Sequence, residues 1–342
     1  MKRKIFRVIK YALLTGIAAF LFFIFCPRQY RVPRQEELKG MQYWNLPTGS
    51  RIAYVFIPAQ GVKKPFPVIY LHGGPGGFIS DGIVERFRLL PKNGFDVYLY
   101  DQIGSGHSDR LENIEEYTAG RHKRDLEEIV KKTGSKKVIL IGQSWGAILA
   151  ALYVADNPGK VEKLIFTGPG PIYPIRKELE SIVAPDSLHL KEPLFSNRQA
   201  NEKTENLRSK VVFLLAKIFG YKLASDKEMD DFQTLLANET NKTTVCDTSK
   251  AGKAKGGGGY YVRILTLRSL FEMRDQRPKL KNSPVPLFIM RGQCDNQKWG
   301  FITEFLVLFP HHRLVIIPNA GHAISVEQPE LYRTTLLDFL NE

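Results

Sequence analysis

Five residues, Gly142-Gln143-Ser144-Trp145-Gly146, carry the sharpest chemical signal in the chain. They follow a short apolar, β-branched run, Val138 to Ile141, and open a helical pattern that begins at Trp145. In that setting G-x-S-x-G is a nucleophile elbow: the chain turns sharply and presents the serine oxygen at the edge of a sheet. Gly142 and Gly146 remove side chains that would collide with the turn and the neighbouring strand. A helix N-terminus behind Ser144 favours negative charge developing there. A helix N-cap serine is the competing reading of the same residues.

A second motif, His72-Gly73-Gly74-Pro75-Gly76-Gly77, directly follows the apolar run Val68 to Leu71. Its glycines let backbone N–H groups approach a ligand closely. An oxyanion hole takes one N–H from such a loop and one from the residue after the nucleophile. Gly73 or Gly74 is the first donor and Trp145 the second; a tight turn fixed by Pro75 is the alternative. A nucleophilic serine also requires a base and a group that orients the base. Asp295 follows the run Leu287 to Met290, and His322 follows Leu314 to Ile317, so both lie at the ends of late strands. The chain order serine, acid, histidine suits this architecture. His322 would take the Ser144 proton, and Asp295 would hold its tautomer. His107, His122 and His189 precede the acid, and His311 and His312 begin a strand. Asp338 is the alternative acid, but it follows the histidine.

The elements that must position these groups alternate. Arg51 to Ile57 reads as a strand, as do Val68 to Leu71, Val97 to Tyr100, Val138 to Ile141 and Leu164 to Thr167. Arg121 to Lys132 and Trp145 to Asp156 read as helices. Strand-then-helix alternation implies a mostly parallel sheet covered on both faces. From about 170 to 284 the chain is rich in charge and helix formers and shows no buried strand. Gly256 to Gly259 there reads as a flexible loop. The sheet pattern then resumes, and a helix from about Pro329 to Leu340 closes the chain. The division is 1–40, an anchor and linker; 41–169, core; 170–284, a helical insertion; and 285–342, core.

The chain has 342 residues, 43% hydrophobic and 25% charged, which excludes wholesale disorder. Its net charge of +14 is half accounted for by the first forty residues, where nine Lys and Arg face only Glu36 and Glu37. That basic run flanks Tyr11 to Cys26, which holds no charge. Basic flanks on an apolar stretch mark a membrane segment before nucleic acid, and no nucleic-acid motif accompanies them. Ile24 and Phe25 are not the small residues of a cleavage site, so the segment reads as an uncleaved signal anchor. Positive charge is densest before the span, which places the N-terminus in the cytoplasm and the bulk of the chain across the membrane. Lys210 to Tyr221 is apolar with basic flanks, and packs as a helix of the insertion or dips into the membrane. Cys246 and Cys294 can pair outside the cytoplasm, pinning the insertion to the catalytic edge; two free thiols are the alternative. Asn238 and Asn241 match glycosylation acceptors. No metal or cofactor motif is present.

HGGPGG, DQIGSGHSD (Asp101 to Asp109), GQSWGA and the late Asp and Gly-His together resemble the α/β-hydrolase superfamily, specifically proline iminopeptidase-like serine peptidases. The resemblance covers about 45–170 and 284–342. It implies an α/β-hydrolase fold with an eight-stranded sheet, a helical cap and acyl-enzyme hydrolysis without a cofactor. It implies Ser144, Asp295 and His322 as the triad, and Gly74 and Trp145 as the oxyanion hole. Asp101 and Gly104 match the loop that braces the floor of the site. Ile103 stands where the family carries Arg. The family's cap motif of tryptophan and glutamate, which holds a substrate amine, is not evident; Glu178, Glu180, Glu202, Glu205 and Glu228 are candidates by location. The implied substrate is a short peptide or a small acyl ester or amide.

Overall fold

The computed structural model describes residues 2–342. Its strands are β1 (Met41–Asn45), β2 (Arg51–Ile57), β3 (Val68–Leu71), β4 (Val97–Tyr100), β5 (Val138–Gln143), β6 (Val161–Thr167), β7 (Leu287–Gly292) and β8 (His312–Ile317). They form one eight-stranded sheet in the order β1-β2-β4-β3-β5-β6-β7-β8. β2 runs antiparallel to both β1 and β4, and every other pairing is parallel. The C-terminal ends of β5, β6, β7 and β8 therefore share one edge. This is the α/β-hydrolase fold.

In chain order the helices are α1 (Lys2–Phe25), α2 (Asp81–Phe87), α3 (Leu89–Lys92), α4 (Ala119–Lys132), α5 (Trp145–Asp156), α6 (Asn197–Thr204), α7 (Leu207–Phe219), α8 (Asp226–Thr240), α9 (Tyr260–Phe271), α10 (Arg277–Leu280), α11 (Trp299–Leu308), α12 (Ile324–Glu327) and α13 (Pro329–Asn341). Successive residues of β3 point to opposite faces, and both faces are covered. Val68 and Tyr70 pack with Phe87 of α2, Leu90 of α3 and Phe339 of α13. Ile69 and Leu71 join Leu126 of α4, Leu149 of α5 and Phe305 of α11. That double burial is why β3 and β7 read as unbroken apolar runs. β1 had no such signature: it is an edge strand, and Trp44 meets Tyr54 across the β1–β2 pair with ring centroids 3.6 Å apart.

Residues between β6 and β7 carry α6 to α10 and no strand. A disulfide joins Cys246 there to Cys294, just beyond β7. Gly256 to Gly259, expected to be a flexible loop, instead packs closely. The Gly259 N–H donates to Gly76 O at 2.9 Å and the Gly106 N–H to Gly257 O at 2.7 Å. A Cβ on Gly259 would stand 2.1 Å from Gly104 O, so the run exists for close backbone approach rather than slack. Neither glycosylation-type asparagine is free: the Asn238 carbonyl accepts from Ala254 N at 2.6 Å, and Asn241 Nδ2 donates to Gly252 O at 2.7 Å.

α1 has 24 residues, about 36 Å at 1.5 Å per residue, enough for a hydrocarbon core of roughly 30 Å. Among the described residues it is the one helix long and apolar enough to cross a membrane. Its large apolar side chains are exposed apart from Ile24.

Candidate active site

Ser144 occupies the turn between β5 and α5 with φ 53° and ψ −115°. A β-carbon is disfavoured there, at a cost of about 1–3 kcal/mol that the surrounding packing must offset. The packing is tight: a Cβ on Gly146 would lie 2.0 Å from Leu71 O, so α5 can approach β3 only with glycine at that position. The Ser144 N–H donates to Thr167 O, the last residue of β6, at 3.0 Å. Ser144 itself is half-buried.

The next residue, Gly168, links the serine to the late-strand groups. A Cβ at Gly168 would stand 2.6 Å from His322 Nδ1 and 2.9 Å from Asp295 Oδ2. His322 and Asp295 thus pack on the backbone whose preceding carbonyl holds the Ser144 amide. His322 Nδ1 lies 2.9 Å from Asp295 Oδ1, and both residues are buried. Burial alone would raise the Asp295 pKa, but His322 and Arg291 prevail and hold it below the usual carboxylate range. The carboxylate therefore accepts and Nδ1 donates, which leaves Nε2 as the ring nitrogen not engaged with Asp295. The Gln297 N–H donates to the same Asp295 oxygen at 3.0 Å.

Gly73 faces the serine: its ideal Cβ position is 3.3 Å from Ser144 Cβ. Gly74 has φ 129° and precedes a cis bond to Pro75. Trp145 is the first residue of α5, where an N–H has no acceptor within its own helix. The two candidate donor segments are joined by Gln102. Its side-chain carbonyl accepts from Trp145 Nε1 at 2.7 Å, and its amide donates to His72 O at 3.1 Å. The Gln102 backbone N–H donates to His72 Nε2 at 3.0 Å, which leaves Nδ1 of His72 to donate to Gly73 O at 2.9 Å. Asp101 ties the adjoining turns: its carboxylate accepts from Ile79 N at 2.6 Å and His107 N at 2.8 Å.

Three positioning groups carry no signal that a sequence reading finds. Gly168 looks like the end of a strand. Gln102 sits inside a recognised motif without a marked role. Glu327 looks like a helix surface residue, yet it is buried and accepts from Gly321 N at 2.6 Å, Cys246 N at 3.0 Å and Asp247 N at 3.0 Å. It fastens the segment around the disulfide to the loop that carries His322. Among the described residues no cluster of three His, Cys, Asp or Glu could hold a metal ion.

Two histidines behind the site give the fold an acid limit. His72 and His122 are buried, and burial lowers their pKa values to about 4 and about 3. The unfolded chain binds these protons near pH 6.5 and the folded chain does not. Their stabilisation is therefore complete above about pH 6.5 and is lost as the pH falls to about 4 for His72 and about 3 for His122, on the order of 3–5 kcal/mol for each at most. Asp101 and Asp230, both raised to about 6 by burial, act with the opposite sign from about pH 4 to 6. His122→Gln removes one of the histidine contributions. We expect its unfolding free energy, measured by urea titration of the full chain in detergent micelles, to fall less steeply than that of the wild type between pH 6.5 and 4.5. The difference should be about 1–2 kcal/mol.

A sequence model described as the alpha/beta hydrolase fold matches residues 67–329. A proline iminopeptidase of Saccharolobus solfataricus is 38% identical over 300 residues, covering 86% of this chain and 90% of its own. A proline iminopeptidase of Heyndrickxia coagulans is 25% identical over 299 residues, covering 86% of this chain and 96% of its own. Among solved structures, an esterase from Exiguobacterium antarcticum has a TM-score of 0.60 at 19% identity, covering 88% of this chain and 99% of its own. That last likeness is one of fold.

Proposed function

This chain belongs to the α/β-hydrolase superfamily and, within it, to the proline iminopeptidase-like family, and it is a hydrolase; from that premise we propose that it works through an acyl-enzyme on Ser144. The observation that carries the reading is the His322–Asp295 pair seated on Gly168, one residue beyond the carbonyl that holds the Ser144 amide. The Ser144 oxygen attacks the substrate carbonyl as His322 Nε2 takes its proton. The tetrahedral oxyanion is held by the Trp145 N–H and by that of Gly73 or Gly74. Collapse returns the proton from His322 to the leaving amine or alcohol. Water, activated by the same imidazole, then releases the acid.

The relatives' name points to removal of a residue from the free N-terminus of a peptide. A second reading, hydrolysis of small acyl esters, is favoured by the cap. Glu228 is committed to Arg208 (2.5 Å), Glu202 to Arg198 (2.8 Å) and Glu205 to Lys210 (3.7 Å), while Glu178 and Glu180 are exposed. The cap residue beside the glycine loop is a cation: Arg263 Cβ is 3.4 Å from where a Gly76 Cβ would stand. Comparing kcat/KM for prolyl amides, their N-acetylated forms and short acyl esters decides between them. As a peptidase, the protein should lose about tenfold or more on acetylation, the worth of one ordinary polar contact. Equal rates on blocked and free amides, with faster ester turnover, would move the assignment to a carboxylesterase.

Residues 170–284 act as the cap over this site, between core segments 41–169 and 285–342. α1 is the membrane anchor, with Lys2, Arg3, Lys4, Arg7 and Lys10 keeping its start in the cytoplasm and the hydrolase on the other side.

A further inference from the structure

Resting on the reading of α1 as an anchor, we propose that α7 of the cap lies flat on the bilayer, with an anionic lipid surface as its partner. The end of α1 is locked to this helix. Arg208, at the start of α7, donates to Ile24 O and pairs through two bonds, 2.5 and 2.7 Å, with Glu228. Glu228 also accepts the Arg28 N–H at 3.1 Å, and Asn206, the α7 N-cap, donates to Tyr30 Oη at 3.1 Å. Both members of the Arg208–Glu228 pair are buried. A buried ion pair holds its geometry because separating the charges is costly. The last turn of a spanning helix sits at headgroup level, so α7 must begin there too.

From that point α7 presents the surface an interface requires. Val212 and Ala216 are buried toward the protein. Leu207, Phe213, Leu214, Ile218 and Phe219 are exposed, Ile218 at 57% and Phe219 at 67%, and Tyr221 follows. Leu207, Leu214 and Ile218 share one face of α7, and Phe213 and Phe219 lie on its two flanks; a soluble surface rarely gathers so many large apolar groups. Lys210 and Lys217 lie among them and are exposed. Lys217 Nζ stands 5.4 Å from the Phe213 ring centroid. Long basic side chains beside aromatic and aliphatic groups suit a headgroup boundary, where the stems bury and the charges meet lipid phosphates. Two acidic groups lie near this surface: Glu205 is paired with Lys210 at 3.7 Å, and Glu115, beside Gly220 at the end of α7, is paired with Arg268 at 3.7 Å. Arg31 and Arg34, exposed in the segment after α1, add positive charge on the same side of the anchor.

The test uses the full chain with Cys26→Ser, reconstituted in vesicles of phosphatidylcholine and phosphatidylglycerol. Cys246 and Cys294 are bonded to each other, so a single introduced cysteine carries an environment-sensitive fluorophore. Three variants are labelled: Phe20→Cys in α1, Ile218→Cys in α7, and Val62→Cys, which is 92% exposed in the turn before β3. Lipid-borne nitroxides should quench the probes at 20 and 218 by about half or more and leave the probe at 62 nearly unchanged. Adding Lys210→Glu and Lys217→Glu should weaken quenching at 218 alone. Quenching at 20 without quenching at 218 overturns the docking and leaves the anchor standing. No quenching at 20 removes the anchor and this proposal with it. A probe at 218 that lipid does not quench, but that shifts with protein concentration, would make α7 a self-association face and overturn the lipid assignment.

Discussion

Ser144→Ala should lower kcat/KM on the best substrate by about 10⁴-fold or more while the circular dichroism spectrum and melting temperature hold. The substitution removes one oxygen from a half-buried turn and leaves the backbone contacts in place. His322→Ala should cost about as much, and the double variant little more, because the proposed nucleophile and base act as one unit. Ser144→Gly separates chemistry from strain. It should be equally inactive yet more stable by about 1 kcal/mol, since glycine accepts φ 53° without a β-carbon to accommodate. A fluorophosphonate probe should label the wild type at Ser144 and none of these variants. Persistent label or turnover in Ser144→Ala would place the nucleophile elsewhere.

What the sequence discloses and what it conceals follow a physical line. The turn that carries Ser144 is a local device: strand, two glycines and helix are contiguous, and the helix runs from Trp145 to Asp156 as the periodicity predicts. Strands buried on both faces are equally local, because each apolar run is its own signal. Asp295 and His322 are legible as late polar residues at strand ends, while the distance between them is a property of the folded sheet alone. Contacts formed by single polar atoms across long separations have no periodic trace. Glu327 reaching Cys246, Gln102 spanning the loops of His72 and Trp145, and Arg208 reaching Ile24 all belong to that class. Gly256 to Gly259 misleads for a related reason. Its composition fits a slack linker as well as a backbone pressed against Gly76 and Gly104, and the choice depends on a partner far away in the chain. Sequence supplies no distance between Cys246 and Cys294 and so leaves their pairing open; in the folded chain their Cα atoms are 5.4 Å apart and they are bonded.

Gly168→Ala should lower kcat by about 10²–10³-fold with a much smaller change in KM. Thr167 and Gly168 form a stretch of backbone that touches both halves of the site: Thr167 O accepts the serine amide, and the Gly168 N–H donates to Met290 O at 3.1 Å on β7. A methyl group at 168 would meet His322 Nδ1 at 2.6 Å, His322 Cε1 at 2.8 Å and Asp295 Oδ2 at 2.9 Å. Real Cβ contacts are not that short, so the imidazole, the carboxylate or both must move. The added strain at φ +52° is modest, about 1 kcal/mol, and the chain should still fold. The damage is therefore positional, and it falls on the group proposed to take the proton in both half-reactions. Ordinary destabilisation would lower the folded fraction without changing the folded enzyme, so two further readouts separate it from displacement. The downfield proton resonance of the Nδ1–H bridging to Asp295 should shift or vanish in the variant. The acyl-enzyme should also persist longer, because deacylation relies on the same imidazole to activate water. Full kcat in Gly168→Ala, with the bridging resonance intact, would show that the site tolerates the methyl group and that the His322–Asp295 pair does not depend on a bare backbone beneath it.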